Sequence, residues 1–161
     1  MKNIDTKYLT LSAIVAALYV VLTLVTAPVS FGNTGISFRL SEILVLLPFF
    51  NKKFTTSIIL GTAIANFFSP MGMPDVIFGT LATAITVFIL TKVSSKVLAV
   101  LVPAVVNGII IAIELDLILG LPLVPMMVSV FIGEAAAMVL GLVIFNVAFR
   151  NTHFKKLVHT A

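Results

Sequence analysis

The stretch ISFRLSEILVLLPFFNKK, residues 36–53, sets Arg39 and Glu42 three residues apart at the head of an apolar run that closes on Lys52 and Lys53. Reading it one way or the other decides what the chain is. In a soluble protein it is an ordinary buried segment. In a bilayer, an arginine and a glutamate beside eight apolar residues need a reason to be there, because an ionisable group inside a membrane costs about 3 kcal/mol on insertion scales unless it finds a partner, a cavity or a ligand.

The composition favours the bilayer. Of 161 residues, 60% are hydrophobic and 10% charged, where soluble domains carry about 25% charged residues. Outward from the opening stretch, apolar runs cover residues 8–27, 39–50, 55–68, 76–91, 97–119 and 123–149. Between them lie PVSFGNTGISF, NKK, SPMGMPD, KVSSK and GLP, all turn-forming or charged. A spanning helix needs about 20 apolar residues. The second and third runs are shorter, about 18 to 21 Å long at the helical rise. No alternation of period two appears, which excludes a transmembrane barrel. The pattern predicts an all-α integral membrane protein, a six-transmembrane-helix bundle forming a single domain over residues 1–161.

The cations orient it. Lys2, Lys7, Lys52, Lys53, Lys92, Lys96, Arg150, Lys155 and Lys156 fall on one side of a six-span chain, and only Arg39 on the other. The positive-inside rule then predicts both termini in the cytoplasm. This placement, and not a basic face in water, accounts for the net charge of +4, so no nucleic-acid partner is expected. The first run is longer than the apolar core of a signal peptide, and no small-residue cleavage site follows it.

Catalytic chemistry has little to work with. The chain has no cysteine, its two histidines (His153 and His159) sit in the polar tail, and neither HExxH nor a phosphate-binding GxxxxGK[ST] loop occurs. No cofactor or metal is expected, and the chain is expected not to be an enzyme. What remains is polarity within the spans. Glu134 lies about 16 Å into the sixth run, Glu114 and Asn107 share a face of the fifth, Asn66 ends the third and Asp75 opens the fourth. These groups, with Arg39 and Glu42, could converge on one outward-facing pocket. Each has a plainer alternative: Asp75 as an N-cap, Arg39 with Glu42 as a local i, i+3 pair, Glu114 as a solvated end, Glu134, Asn66 and Asn107 as interhelical bonds. Ala13 with Ala17, and Gly61 with Ala65, have the spacing of close helix packing.

FRLSEILVLLPFF (residues 38–50), DVIFGTLAT (75–83), the asparagine of VPAVVNGIII (102–111) and IGE (132–134) together resemble the QueT family of queuosine-precursor transporters. These are substrate-binding S components of energy-coupling-factor (ECF) transporters. The likeness runs from the first span to Glu134, with Thr80 standing where the family string F-G-S-L-A-T has a serine. The resemblance implies six spans with cytoplasmic termini in a prokaryotic plasma membrane, and a pocket under the first loop. It implies no ATPase of its own, but a transmembrane T protein and two cytoplasmic ATPases as partners, docked through an A-x-x-x-A face that Ala13 and Ala17 match. The implied ligand is a 7-deazaguanine base in aminomethyl or cyano form. Such a base suits carboxylates at Glu134 and Glu114, an amide at Asn107 and an aromatic at Phe78, while Arg39 and Glu42 would line the pocket or pin its gate. An S component for a different vitamin or purine-like solute, a self-sufficient secondary carrier and a structural subunit are the alternatives.

Overall fold

The computed structural model describes residues 6–27 and 38–159. The first loop, residues 28–37, and with it the expected roof of the pocket, lies outside the described residues. Among the described residues every regular element is helical: α1 (Thr6–Val25), a 3-10 segment (Leu40–Leu46) running into α2 (Leu47–Phe50), a 3-10 turn (Lys52–Phe54), α3 (Thr55–Phe67), α4 (Met73–Leu90), α5 (Lys96–Leu119), α6 (Leu123–Ala148) and α7 (Thr152–His159). Helices follow from the solvent, because apolar stretches in a bilayer must satisfy their backbone groups internally. Four of them, α1, α4, α5 and α6, are long and apolar enough to cross a membrane.

The helix ends fall where polar and turn residues interrupt the apolar runs. α4 begins after Gly72, whose φ of 65° is a left-handed value that glycine adopts freely, and carries Pro74 in its first turn. α5 ends at Gly120, also left-handed, whose N–H donates to the Asp116 carbonyl at 2.9 Å.

α3 packs between α1 and α4, α4 against α5, and α5 against α6, while the 3-10 segment touches α1, α6 and α4. The opening stretch is therefore the inner core. Residues 41–48 are buried without exception, wound as a seven-residue 3-10 run of a length seldom seen. Glycines permit the close approach. A Cβ on Gly141 would fall 2.7 Å from Leu46 Cδ1, and one on Gly61 3.0 Å from the Ala16 carbonyl oxygen. Gly61 and Ala65 are thus an internal packing pair. On α1 the buried stripe is Ala16, Tyr19 and Thr23, whereas Ala13 and Ala17 are exposed.

Antiparallel connection of α3 to α6 puts Lys52, Lys53, Lys92, Lys96 and Arg150 at one end of the bundle, and the α3–α4 and α5–α6 links at the other. The polar tail is not a strand of coil: α7 is amphipathic, with Phe154 packed on Phe145 and Phe149.

Candidate functional site

The bundle end opposite the lysines holds the polar groups. Arg39 leads into the 3-10 segment and reaches across to α4, its Nη2 3.9 Å from Asp75 Oδ1. Its Nη1 donates to Asn66 Oδ1 at 3.3 Å, and Asn66 Nδ2 donates in turn to the Asp75 backbone carbonyl at 3.1 Å. Asp75 is fully buried in the first turn of α4, where its Oδ2 accepts from the Ser69 hydroxyl. The N-cap position belongs to Gly72, so the cap reading of Asp75 is corrected: the carboxylate is turned inward to the arginine. The local Arg39–Glu42 pair is corrected likewise. Three residues along a 3-10 segment place the two side chains near each other, but Glu42 takes its hydrogen bond from α1, with the Tyr19 hydroxyl donating to Oε1 at 2.6 Å.

Tyr19 had no signal of its own, being one aromatic in an apolar run. Beside it the Thr23 and Ser41 hydroxyls are hydrogen-bonded at 2.7 Å, a second tie between α1 and the core segment. Across the bundle Asn107 Nδ2 donates to Glu134 Oε1 at 2.8 Å, joining α5 to α6. Glu114 is wholly buried, not a solvated helix end. It lies in the field of Asp75 and Arg39, and Glu42 lies in that of Glu134.

Arg39, Glu42, Asn66, Asp75, Asn107, Glu114 and Glu134 thus belong to one neighbourhood, held by α3 to α6 and the 3-10 segment. Phe78 is half-buried on α4, three residues after Asp75, and takes no part in these hydrogen bonds. One further residue shapes the site. A Cβ on Gly79 would lie 2.4 Å from Asn66 Nδ2, so glycine there makes room for the amide that links Arg39 to α4. A glycine inside an apolar helix was the available sign.

Four carboxyl groups face one guanidinium in an apolar bundle. Among the described residues several of their oxygens have no hydrogen-bond donor: Glu42 Oε2, Asp75 Oδ1 and both oxygens of Glu114. Buried acceptors left in that state are costly, and a charge excess in an apolar interior more so. N–H donors or positive charge are the chemistry that would offset that cost. Among the described residues the carboxyls do not form a metal-holding group.

Against known proteins, the profile of the family described as "QueT transporter" matches residues 9–149. The chain belongs to the QueT transporter family. It is 41% identical over 85 residues to "Queuosine precursor transporter QueT" of Lactococcus lactis subsp. cremoris (strain MG1363), a stretch covering 53% of this chain and 50% of that protein. The chain thus matches about half the length of that relative. No solved structure matches. With its long apolar helices, this member of the QueT transporter family is a multi-pass membrane protein of the cell membrane.

Proposed function

We propose that the protein is the substrate-binding S component of an ECF-type importer for a queuosine precursor, a 7-deazaguanine base in aminomethyl or cyano form. The observation that carries this is the set of buried carboxylate oxygens in Asp75, Glu114 and Glu42 that have no donor among the described residues. A guanine-like edge presents an N–H and an amino group side by side, which one carboxylate accepts in two parallel bonds, and an aminomethyl group adds a cation. The name of the Lactococcus lactis relative favours the same ligand class. Phe78 supplies a face for stacking.

In this reading six spans place both termini in the cytoplasm, and the carboxylate cluster opens toward the outside. The chain hydrolyses no ATP itself. A transmembrane T protein with two cytoplasmic ATPases supplies the energy, and the exposed Ala13 and Ala17 of α1 form its docking face. Calorimetry of the purified chain against deazapurines and vitamins tests the ligand class: saturable binding of the aminomethyl or cyano base is expected, and binding of a vitamin instead would overturn the assignment. The lone chain in proteoliposomes should bind and not transport; accumulation without ATPases would make it a self-sufficient carrier. Leucine at Ala13 and Ala17 should abolish coupled transport while binding survives.

A further inference from the structure

Arg39 and Glu42 carry opposite charge at the head of the segment Leu40–Leu46, and side chains three apart on a 3-10 winding stand one above the other. A local ion pair would neutralise both in the apolar interior. The structure separates them instead. Arg39 turns to Asp75 on α4, at 3.9 Å, and Glu42 to α1, where the Tyr19 hydroxyl donates to Oε1 at 2.6 Å. Arg39 still lies in the field of Glu42, so the separation is held against their attraction.

Tyr19 is fixed firmly enough to hold it. Its side chain is 1% exposed, and α3 comes so near at Gly61 that an added Cβ there would lie 3.0 Å from Tyr19 Cβ. The ring cannot swing away without moving α1 from α3. One turn further along α1, the Thr23 and Ser41 hydroxyls meet at 2.7 Å. That bond ties the core segment to α1 at the residue next to Glu42.

The consequence falls on a single oxygen. With Oε1 engaged by the phenol, Glu42 Oε2 stays buried with no donor among the described residues. Glu42 is therefore a one-sided acceptor. A guanine-like edge, with two donors side by side, calls for two open oxygens, which Glu114 has. One open oxygen suits a compact ammonium group, which brings its own N–H donors and the opposite charge.

We infer that Tyr19 is a positioning residue whose hydroxyl keeps Glu42 off Arg39 and presents Glu42 Oε2 to the cationic group of the guest. The inference rests on the binding role proposed for the carboxylate cluster.

Calorimetry of the full chain with the aminomethyl and cyano bases tests it through the ratio of the two affinities. Tyr19→Phe keeps the ring and removes the donor. The aminomethyl base should then bind about tenfold more weakly, the effect of one charge-assisted bond, and the cyano base less than about threefold. Glu42→Gln should lower the same ratio, and adding Tyr19→Phe to it should change the ratio by less than about twofold, because the tyrosine acts through that carboxylate. A ring that serves packing alone would weaken both bases alike or neither. Either of those results, or an undiminished loss from Tyr19→Phe in the Glu42→Gln chain, would overturn the inference.

A second measurement needs no ligand. Unfolding of the purified chain in detergent gives the coupling between Arg39→Met and Glu42→Gln, which should grow by about fivefold in equilibrium constant once Tyr19→Phe releases Glu42 to pair locally. The same coupling with and without the hydroxyl would overturn the role of Tyr19. Failure of both bases to bind the unsubstituted chain would count against the proposed ligand, and the coupling would still decide whether Tyr19 holds Glu42 apart from Arg39.

Discussion

The two ends of the bundle are both charged, and they handle charge in opposite ways. At one end Arg39 and four carboxyl side chains are drawn inside, where Asp75 and Glu114 are wholly buried and several oxygens lack donors among the described residues. At the other end the lysines stand exposed around a packed set of phenylalanines, Phe50, Phe145, Phe149 and Phe154. Exposed ammonium groups keep their water, so they cost the fold little and bear on which way the chain is oriented. Buried carboxylates give up theirs. The difference separates charge that sets topology from charge that forms a site.

The contrast breaks most directly at Arg39. Arg39→Met removes the guanidinium that Asp75 pairs with and that lies in the field of Glu42, Glu114 and Glu134. Stranding such charges costs about 3–5 kcal/mol. Unfolding in detergent should show that loss, and adding Asp75→Asn should recover part of it. A loss below about 1 kcal/mol, the size expected of a surface pair, would mean that the cluster is not an electrostatic unit.

Binding sharpens the same contrast among the carboxylates. Glu134 already accepts from Asn107, whereas neither oxygen of Glu114 has a donor among the described residues. Losing one charge-assisted bond costs about 1.5–3 kcal/mol, so Glu114→Gln should weaken the aminomethyl base about tenfold to a hundredfold. Glu134→Gln should weaken it by less. The cyano form should suffer less than the aminomethyl form where the cation is the partner. The opposite ranking by calorimetry would return the leading role to Glu134, which depth in the span had suggested.

Depth along a helix can be read from a sequence; who satisfies a buried group cannot. The apolar runs gave the helix limits to within three residues, because Lys, Gly and Pro interrupt them wherever the chain leaves the apolar layer. Charged and amide residues in those runs named the members of the cluster, since each is costly there alone. Their pairing was not legible. Arg39 spans to Asp75 and Glu42 to Tyr19, contacts across 36 and 23 positions that only the packing of α1, α4 and the core segment creates. The 3-10 winding of that segment and the inward face of α7 likewise come from tertiary contacts.

Gly79 is the position where packing and site meet. Gly79→Ala puts a methyl group 2.4 Å from Asn66 Nδ2, and the amide must turn away from Arg39 or from Asp75. Overpacking of this kind costs about 1–3 kcal/mol. The base should bind less tightly, and Asn66→Ala in the same chain should relieve the strain on stability without restoring affinity. Full affinity in Gly79→Ala would show that the Asn66 bridge holds the helices together but does not shape the site.

The smallest effect belongs at the opposite end, and Lys96 is the stringent place to look because it has a visible partner. Its Nζ donates to Asn146 Oδ1 at 3.1 Å, linking α5 to α6 in an exposed setting, much as Asn107 links them to each other in the buried one. If the number of bonds governed stability, the two links would be worth the same. Solvation says otherwise. Water replaces the lost partner of Asn146 when Lys96→Met is made, so stability should change by less than about 0.5 kcal/mol and affinity for the base not at all. Asn107→Leu leaves Glu134 buried without its donor, and should cost about 1–3 kcal/mol. Equal losses in the two variants, measured side by side in the same detergent, would erase the distinction between the two ends.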